Sequence, residues 1–246
     1  VISFSLLINH APWSTERKPR LRLMQQRLLP DPDDGSLPFY VHDIDYRFGM
    51  ATPKSDPVDF TLNQWRWCAR QDVSHHVLMT DDIDTCPRFW SVIEAIVTAR
   101  PNSVIGLLSN HPEAPRLRTE GVRWYRTNSW VVGPAYIVPH AMMVKLLAWS
   151  EARTPAGSVD KLGWSDDSEL NEWITFHGPR EAWHPIPTPI SHHRGPSTWS
   201  HTGHGDNYSH ERVKWDDNEV IGKWPTMRDP QFWLAHKPAP MLGLPR

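Results

Sequence analysis

The sequence predicts an α/β domain built on a mostly parallel sheet. Three observations carry that expectation. Short apolar runs alternate with amphipathic stretches over the first 110 residues, the pattern of strands joined by crossover helices. Those apolar runs are only strand-length. Carboxylates follow at once where two of them end: His42-Asp43-Ile44-Asp45 after Phe39-Tyr40-Val41, and Asp81-Asp82-Ile83-Asp84 after Val77-Leu78-Met79.

In chain order, Val1 to Ile8 (VISFSLLI) reads as a buried first strand, followed by a loop at Asn9-His10-Ala11-Pro12-Trp13. A helix is expected from about Glu16 to Leu29. Leu21, Met24 and Leu28 form its apolar stripe, and Arg17, Lys18, Arg20, Arg22 and Arg27 its basic side. Asp31-Pro32-Asp33-Asp34-Gly35 is a turn, and Phe39 to Val41 the second strand. Gly49 to Pro57 reads as loop, and Phe60 to Arg70 as an aromatic-rich helix. After the third strand, Pro87 suits a first helical turn, and Phe89, Ile93 and Ile96 keep helical spacing to about Arg100. Strands are expected at Val104 to Leu108, Val122 to Thr127 and Trp130 to Val138. Pro139 opens a helix with Met142, Met143, Leu146, Leu147 and Trp149 facing a core. Trp164-Ser165-Asp166-Asp167-Ser168-Glu169 opens another, carrying Leu170, Trp173 and Ile174. Beyond Gly178 periodicity fades into a His-, Pro- and Trp-rich tail. The expected organisation is one domain over residues 1–200 and an irregular extension, 201–246, packed on it.

Composition narrows the functional classes. The 246 residues give ample length for a core, and a net charge of −2 gives no footprint for nonspecific nucleic-acid binding. No apolar run approaches a transmembrane span, and no secretory signal is legible at Val1. Cys68 and Cys86 do not make a disulfide framework, so the expected setting is a reducing, cytoplasmic one. The 24 prolines argue for many irregular loops, and most of the 14 tryptophans belong in the core, with a few left as sugar-facing platforms.

Four constellations bear chemistry. Asp81, Asp82 and Asp84 fall on the turn between a strand's carboxyl end and a helix, the ligand-binding edge of an open α/β sheet. One Asp there is an ordinary helix cap. Three together repel unless neutralised, and oxygen-only ligands suit Mg²⁺ or Mn²⁺ bridging to phosphates. Asp166-Asp167 is the second, balanced against a capping box formed by Asp166 and Glu169. The third is His192-His193 after a prolyl segment, and the fourth is His201 to Asp206, with Gly203 and Gly205 on either side of His204 and His210 beyond, a loop of the kind that closes over a substrate.

In this order the fragments resemble the glycosyltransferases of the A-type fold, nucleotide-sugar-dependent enzymes with a single Rossmann-like domain. The resemblance spans most of residues 1–200. Asp81-Asp82-Ile83 followed by Cys86-Pro87-Arg88-Phe89-Trp90 is similar to the family's DXD-type turn. The strict Asp-x-Asp reading selects Asp82 and Asp84, the acidic-pair reading Asp81 and Asp82. Asp43 falls where the family holds the nucleotide base, with Asn9, His10 and Asp81 completing the implied donor pocket. Trp164-Ser165-Asp166-Asp167 falls at the acceptor-activating motif, which makes Asp167 the implied base and Asp166 its alternate. Thr188-Pro189-Ile190-Ser191-His192 resembles the late segment whose His completes the metal site, so the implied ligands are Asp82, Asp84 and His192.

The resemblance implies a Mn²⁺- or Mg²⁺-dependent transfer from a nucleotide-sugar, UDP-sugar favoured, to a hydroxyl of a glycan, protein or small molecule, with inversion. Two other readings use the same residues. One is a metal-dependent hydrolase of phosphoesterase type, drawing on the Asp and His set. The other is a non-catalytic carbohydrate-binding protein with exposed Trp.

Overall fold

The computed structural model describes residues 1–29, 37–44, 57–109, 113–127, 131, 134–153, 166–192 and 232–233, with backbone alone at 57, 192, 232 and 233. The first half alternates as expected: β1 (Phe4–His10), α1 (Arg17–Leu28), β2 (Phe39–Asp43), α2 (Pro57–Ala69), β3 (His75–Thr80), then a short β4 (Ile83–Thr85) and α3 (Phe89–Ala99). Next come β5 (Ile105–Gly106), α4 (Ala114–Thr119), β6 (Trp124–Thr127), β7 (Ala135–Pro139), α5 (His140–Arg153) and α6 (Asp166–Phe176). The chain closes with β8 (Ala182–Pro185), β9 (Ile190–His192) and β10 (Phe232–Trp233).

Eight strands form one sheet in the order β10-β6-β8-β5-β7-β3-β1-β2, and β4 pairs with β9 in a separate two-stranded sheet. Parallel pairs predominate in the main sheet: β1 with β2 and β3, β5 with β8, and β6 with β10. The antiparallel pairs are β3 with β7, β7 with β5, and β8 with β6. This is a mixed α/β, Rossmann-like sheet.

Side-chain alternation explains why helices cover both faces. Leu6, Ile8, Val77, Met79 and Ile137 point to one core with α1 and α3, which contribute Met24, Leu28, Ile93 and Val97. Leu7, Leu78, Tyr136 and Val138, their neighbours in sequence, point to the other, filled by Trp65 of α2, Leu146 of α5 and Trp173 of α6. A period of two along each strand thus requires two apolar layers, and the near-continuous apolar runs supply both.

Several expectations need correction. Ala182–Pro185 is no tail: it is a fully buried strand inside the sheet, and Trp183 packs beneath Arg100 with the guanidinium carbon 3.8 Å from the ring centroid. The acidic run does not lead directly to a helix, because Ile83–Thr85 first pairs with Ile190–His192. Helix α4 has no counterpart in the sequence reading. In the extension, Phe232–Trp233 pairs with Tyr125–Arg126 at the sheet's edge, while the rest of 201–246 lies outside the described residues. So do the expected turn at Asp31–Gly35 and loop residues Gly49–Asp56. Among the described residues no helix is long and apolar enough to cross a membrane.

At the amino-terminal edge the polar groups serve structure. His76 is buried, with Nδ1 2.7 Å from Ser5 Oγ and Nε2 3.0 Å from His140 Nδ1. Burial and the neighbouring His140 and His75 push its pKa down from 6.5 to about 3. Between those values the unfolded chain binds the extra proton, so stability falls as pH drops from about 6.5 towards 3, by at most ~1.4 kcal/mol per pH unit for this group. Urea unfolding at pH 7 and pH 5 is expected to show that loss, and His76→Gln to flatten it. Gly106 offers a second check. A Cβ there falls 2.5 Å from Cε1 of His184, whose ring is stacked on Tyr125 at 4.7 Å. Gly106→Ala is therefore expected to cost about 1–3 kcal/mol in the same measurement.

Candidate functional site

The carboxyl edge of the parallel strands gathers most of the polar residues that the sequence singles out. His10 closes β1, and its Cα partner across the ladder is Asp43, which closes β2. On the other side Asn9 faces Thr80, after which come Asp81 and Asp82. Parallel register alone therefore sets Asp43, His10, Asn9 and the acidic turn in a row.

The three acids of that turn occupy different environments. Asp81 is completely buried. Its Oδ1 accepts from Arg17 Nη1 at 2.6 Å, and its Oδ2 accepts from the Ala11 amide at 3.0 Å and from His10 Nδ1 at 2.6 Å. A carboxylate paired to a guanidinium only accepts, so His10 Nδ1 is the donor in this contact. Asp82 is half-buried: Oδ2 accepts from Arg17 Nη2 at 2.7 Å and Oδ1 from Thr80 Oγ1 at 2.5 Å. Asp84 is exposed, and its carboxylate has no hydrogen-bond or ion-pair partner among the described residues.

Arg17 is the residue that sequence reasoning misses, grouping it with the basic, solvated side of α1. The one available signal is its position. It is the first residue of a helix with no acidic side chain in its first turn, where the helix dipole disfavours a cation. Such a cation needs carboxylates elsewhere, and the acidic turn supplies two.

Asn9 and Gln64 form a second buried pair, Asn9 Nδ2 donating to Gln64 Oε1 at 3.2 Å. Asn9 Oδ1 and Gln64 Nε2 have no partner among the described residues, an acceptor and a donor that a water or a ligand would satisfy. Beside them Trp13, Ile44 and Phe60 make a small apolar cluster at the ends of β1 and β2.

Asp166 opens α6 and accepts from the hydroxyl of Tyr136, the second residue of β7, at 3.2 Å. Because β7 runs antiparallel to β3 and Tyr136 lies opposite Leu78, this bond ties the start of α6 to the carboxyl half of β3. Burial, and then the charge of Asp167, push the Asp166 carboxyl up to about 7. The capping-box alternative does not hold. Glu169 does not reach back to the helix start but accepts from Ser150 Oγ at 2.8 Å.

The backbone brings the late segment to the same place. His192 lies opposite Ile83, between Asp82 and Asp84, and Ser191 opposite Asp84. The His192 side chain lies outside the described atoms, as do His193, His201, His204 and His210. Among the described residues no group of three or more His, Cys, Asp or Glu side chains forms a ready metal cage. The oxygen donors present nonetheless suit a hard divalent cation of the kind that keeps its waters and bridges to phosphate. Asp84 is exposed and Asp82 half-buried, although both oxygens of Asp82, like those of Asp81, accept from protein donors.

Of the tryptophans whose side chains are described, half are buried and Trp13, Trp67, Trp90 and Trp149 are half-buried. Trp65, Trp124, Trp173 and Trp183 are buried. Both cysteines are free thiols.

Neither a family model nor a curated protein matches this chain. Solved structures with a similar course include a mannose-1-phosphate geranyltransferase from Thermus thermophilus, at 12% identity and a TM-score of 0.43 over 78% of this chain and 76% of that one. Protein A197 from STIV matches at 9% identity and a TM-score of 0.42, covering 79% and 86%. The galactosyltransferase LgtC, in complex with donor and acceptor sugar analogues, matches at 11% identity and 0.42, covering 85% and 93%. Scores of 0.42–0.43 are too low to assign a family or an activity.

Asp81 and Asp82 are expected to separate by stability. Asp81→Asn leaves Arg17 buried without its main partner and should cost about 3–5 kcal/mol in urea unfolding. Asp82→Asn, on the solvent side of the same guanidinium, should cost about 1 kcal/mol.

Proposed function

We propose that this chain is a glycosyltransferase that moves a sugar from a nucleotide-diphosphate donor, UDP-sugar favoured, to an acceptor hydroxyl. The observation that carries this reading is the order of groups along one sheet edge. Asp43 with the apolar cluster of Trp13, Ile44 and Phe60 comes first, then His10 and Asn9, then the acidic turn, and Asp166 of α6 lies beyond. A nucleoside, a diphosphate and an acceptor hydroxyl need those surfaces in that sequence: an apolar wall with polar ends, a cation-holding turn, and a base.

Asp82 and Asp84 would hold Mn²⁺ or Mg²⁺, with His192 as a third ligand. Such an ion supplies charge neutralisation for the departing diphosphate. The chain's own groups do the rest. Asp43 and His10 orient the nucleoside, the His10 ring being held in place by its Nδ1 bond to Asp81. The carboxylates at the start of α6 take the acceptor's proton as its oxygen attacks the anomeric carbon. One base with no covalent partner gives inversion. Within the pair, Asp166 fits a base working near neutrality, because its pKa of about 7 combines adequate basicity with adequate ionisation. Asp167 raises it by its charge. Free thiols at Cys68 and Cys86 suit a cytoplasmic setting.

The test joins binding to turnover. UDP should bind calorimetrically with Mn²⁺ and much less well without it, and Asp82→Asn should abolish the difference. Transfer should rise with pH through about 7, since the base acts ionised. Asp166→Asn should remove that inflection, and Asp167→Asn should move it to lower pH by withdrawing the neighbouring charge. A protein that binds no nucleoside diphosphate, with or without Mn²⁺, is not this enzyme.

A further inference from the structure

The two prongs of the Arg17 guanidinium do different work. Nη1 is bound to Asp81, which is wholly buried and also held by the Ala11 amide and His10, so that prong is fixed. Nη2 is bound to Asp82, whose side chain keeps 18% of its exposure against 9% for Arg17 and none for Asp81. The outer bond is therefore the one that solvent and solutes can reach. It occupies Oδ2 of the one acid common to both readings of the metal motif. A cation that coordinates Asp82 meets a positive charge already 2.7 Å from that oxygen.

We infer that Arg17 is the internal counter-ion of the acidic turn and couples cation binding to donor binding. This rests on the glycosyltransferase reading above. Without donor, Arg17 neutralises Asp82 and weakens its hold on a divalent cation. When a diphosphate arrives with the cation, Nη2 leaves Asp82 and donates to a phosphate oxygen instead, a charge-assisted bond of the same kind. Nη1 stays on Asp81 as the pivot. Arg17 is a donor-binding and positioning residue by this account, and no covalent bond is made or broken in the protein. By linkage, cation and nucleoside diphosphate must each tighten the other.

The experiment measures Mn²⁺ binding to the full chain from the loss of the free-ion electron paramagnetic resonance signal, with and without UDP. Wild type should bind Mn²⁺ weakly alone and about tenfold or more tighter with saturating UDP. Arg17→Lys keeps a charge for Asp81 but cannot bridge both acids. It should bind Mn²⁺ alone about tenfold tighter than wild type and lose most of the coupling to UDP. Equal Mn²⁺ affinity and equal coupling in the two proteins would overturn the inference while leaving the enzyme reading intact. No Mn²⁺ or UDP binding by wild type overturns both. A second measurement on wild type does not depend on the variant folding. The Arg17 guanidinium proton signals, followed by NMR with diamagnetic Mg²⁺, should shift on adding Mg²⁺ and UDP together. If they stay in place while both ligands bind, the inference fails.

Discussion

The edge that carries the site depends on one buried ion pair. Asp81 lies at the end of β3 with no solvent exposure, and its carboxylate joins three segments: the exit of β1 through His10 and Ala11, the start of α1 through Arg17, and its own turn. A lone carboxylate in that position is untenable, since desolvation there far exceeds any single hydrogen bond. With a guanidinium, an imidazole N–H and an amide N–H all directed at it, its charge and lone pairs are met. The loop from His10 to Arg17 is thereby tied to the acidic turn, and the mouth of the sheet acquires a fixed shape.

The antiparallel strand β7 extends that edge. Placed between β3 and β5, it starts where its neighbours end, so Thr80 donates its amide to Pro134 and Tyr136 lies one step inside the rim. Tyr136 then meets Asp166 at the start of α6. A purely parallel sheet has only strand ends at this edge; here a strand beginning also contributes. The β4–β9 pair makes a comparable connection, carrying residues 190–192 back to the acidic turn more than a hundred positions earlier in the chain.

What is legible in the sequence follows from local apolar pattern. β1, β3, α3 and α5 announce themselves through runs such as Ser5-Leu6-Leu7-Ile8 and the helical spacing of Phe89, Ile93 and Ile96. β8 does not. Ala182-Trp183-His184-Pro185 carries a proline and a histidine, yet His184 is buried because Gly106 leaves space for its ring and Tyr125 stacks on it. Those two partners lie 78 and 59 positions away, and no local window contains them. Arg17 is unreadable for the same reason. Among five basic residues on one helix, only the tertiary placement of the first distinguishes a buried counter-ion from a solvated surface charge.

The acidic run makes the point in miniature. Asp81, Asp82 and Asp84 look equivalent as letters, but the chain passes from interior to solvent within those four positions. Asp81 has spent both oxygens on protein donors. Asp82 divides its own between Thr80 and Arg17, and Asp84 has committed none among the described residues. Capacity to bind an incoming cation therefore rises along the run as burial falls. The stretch is better understood as a graded series, from an inner acid that builds the loop to an outer acid that faces the ligand, than as three copies of one ligand. On that view the two spacings of the motif need not compete: Asp82 belongs to both because it is the acid at the boundary, its oxygens held by Thr80 and Arg17 while its side chain still reaches solvent.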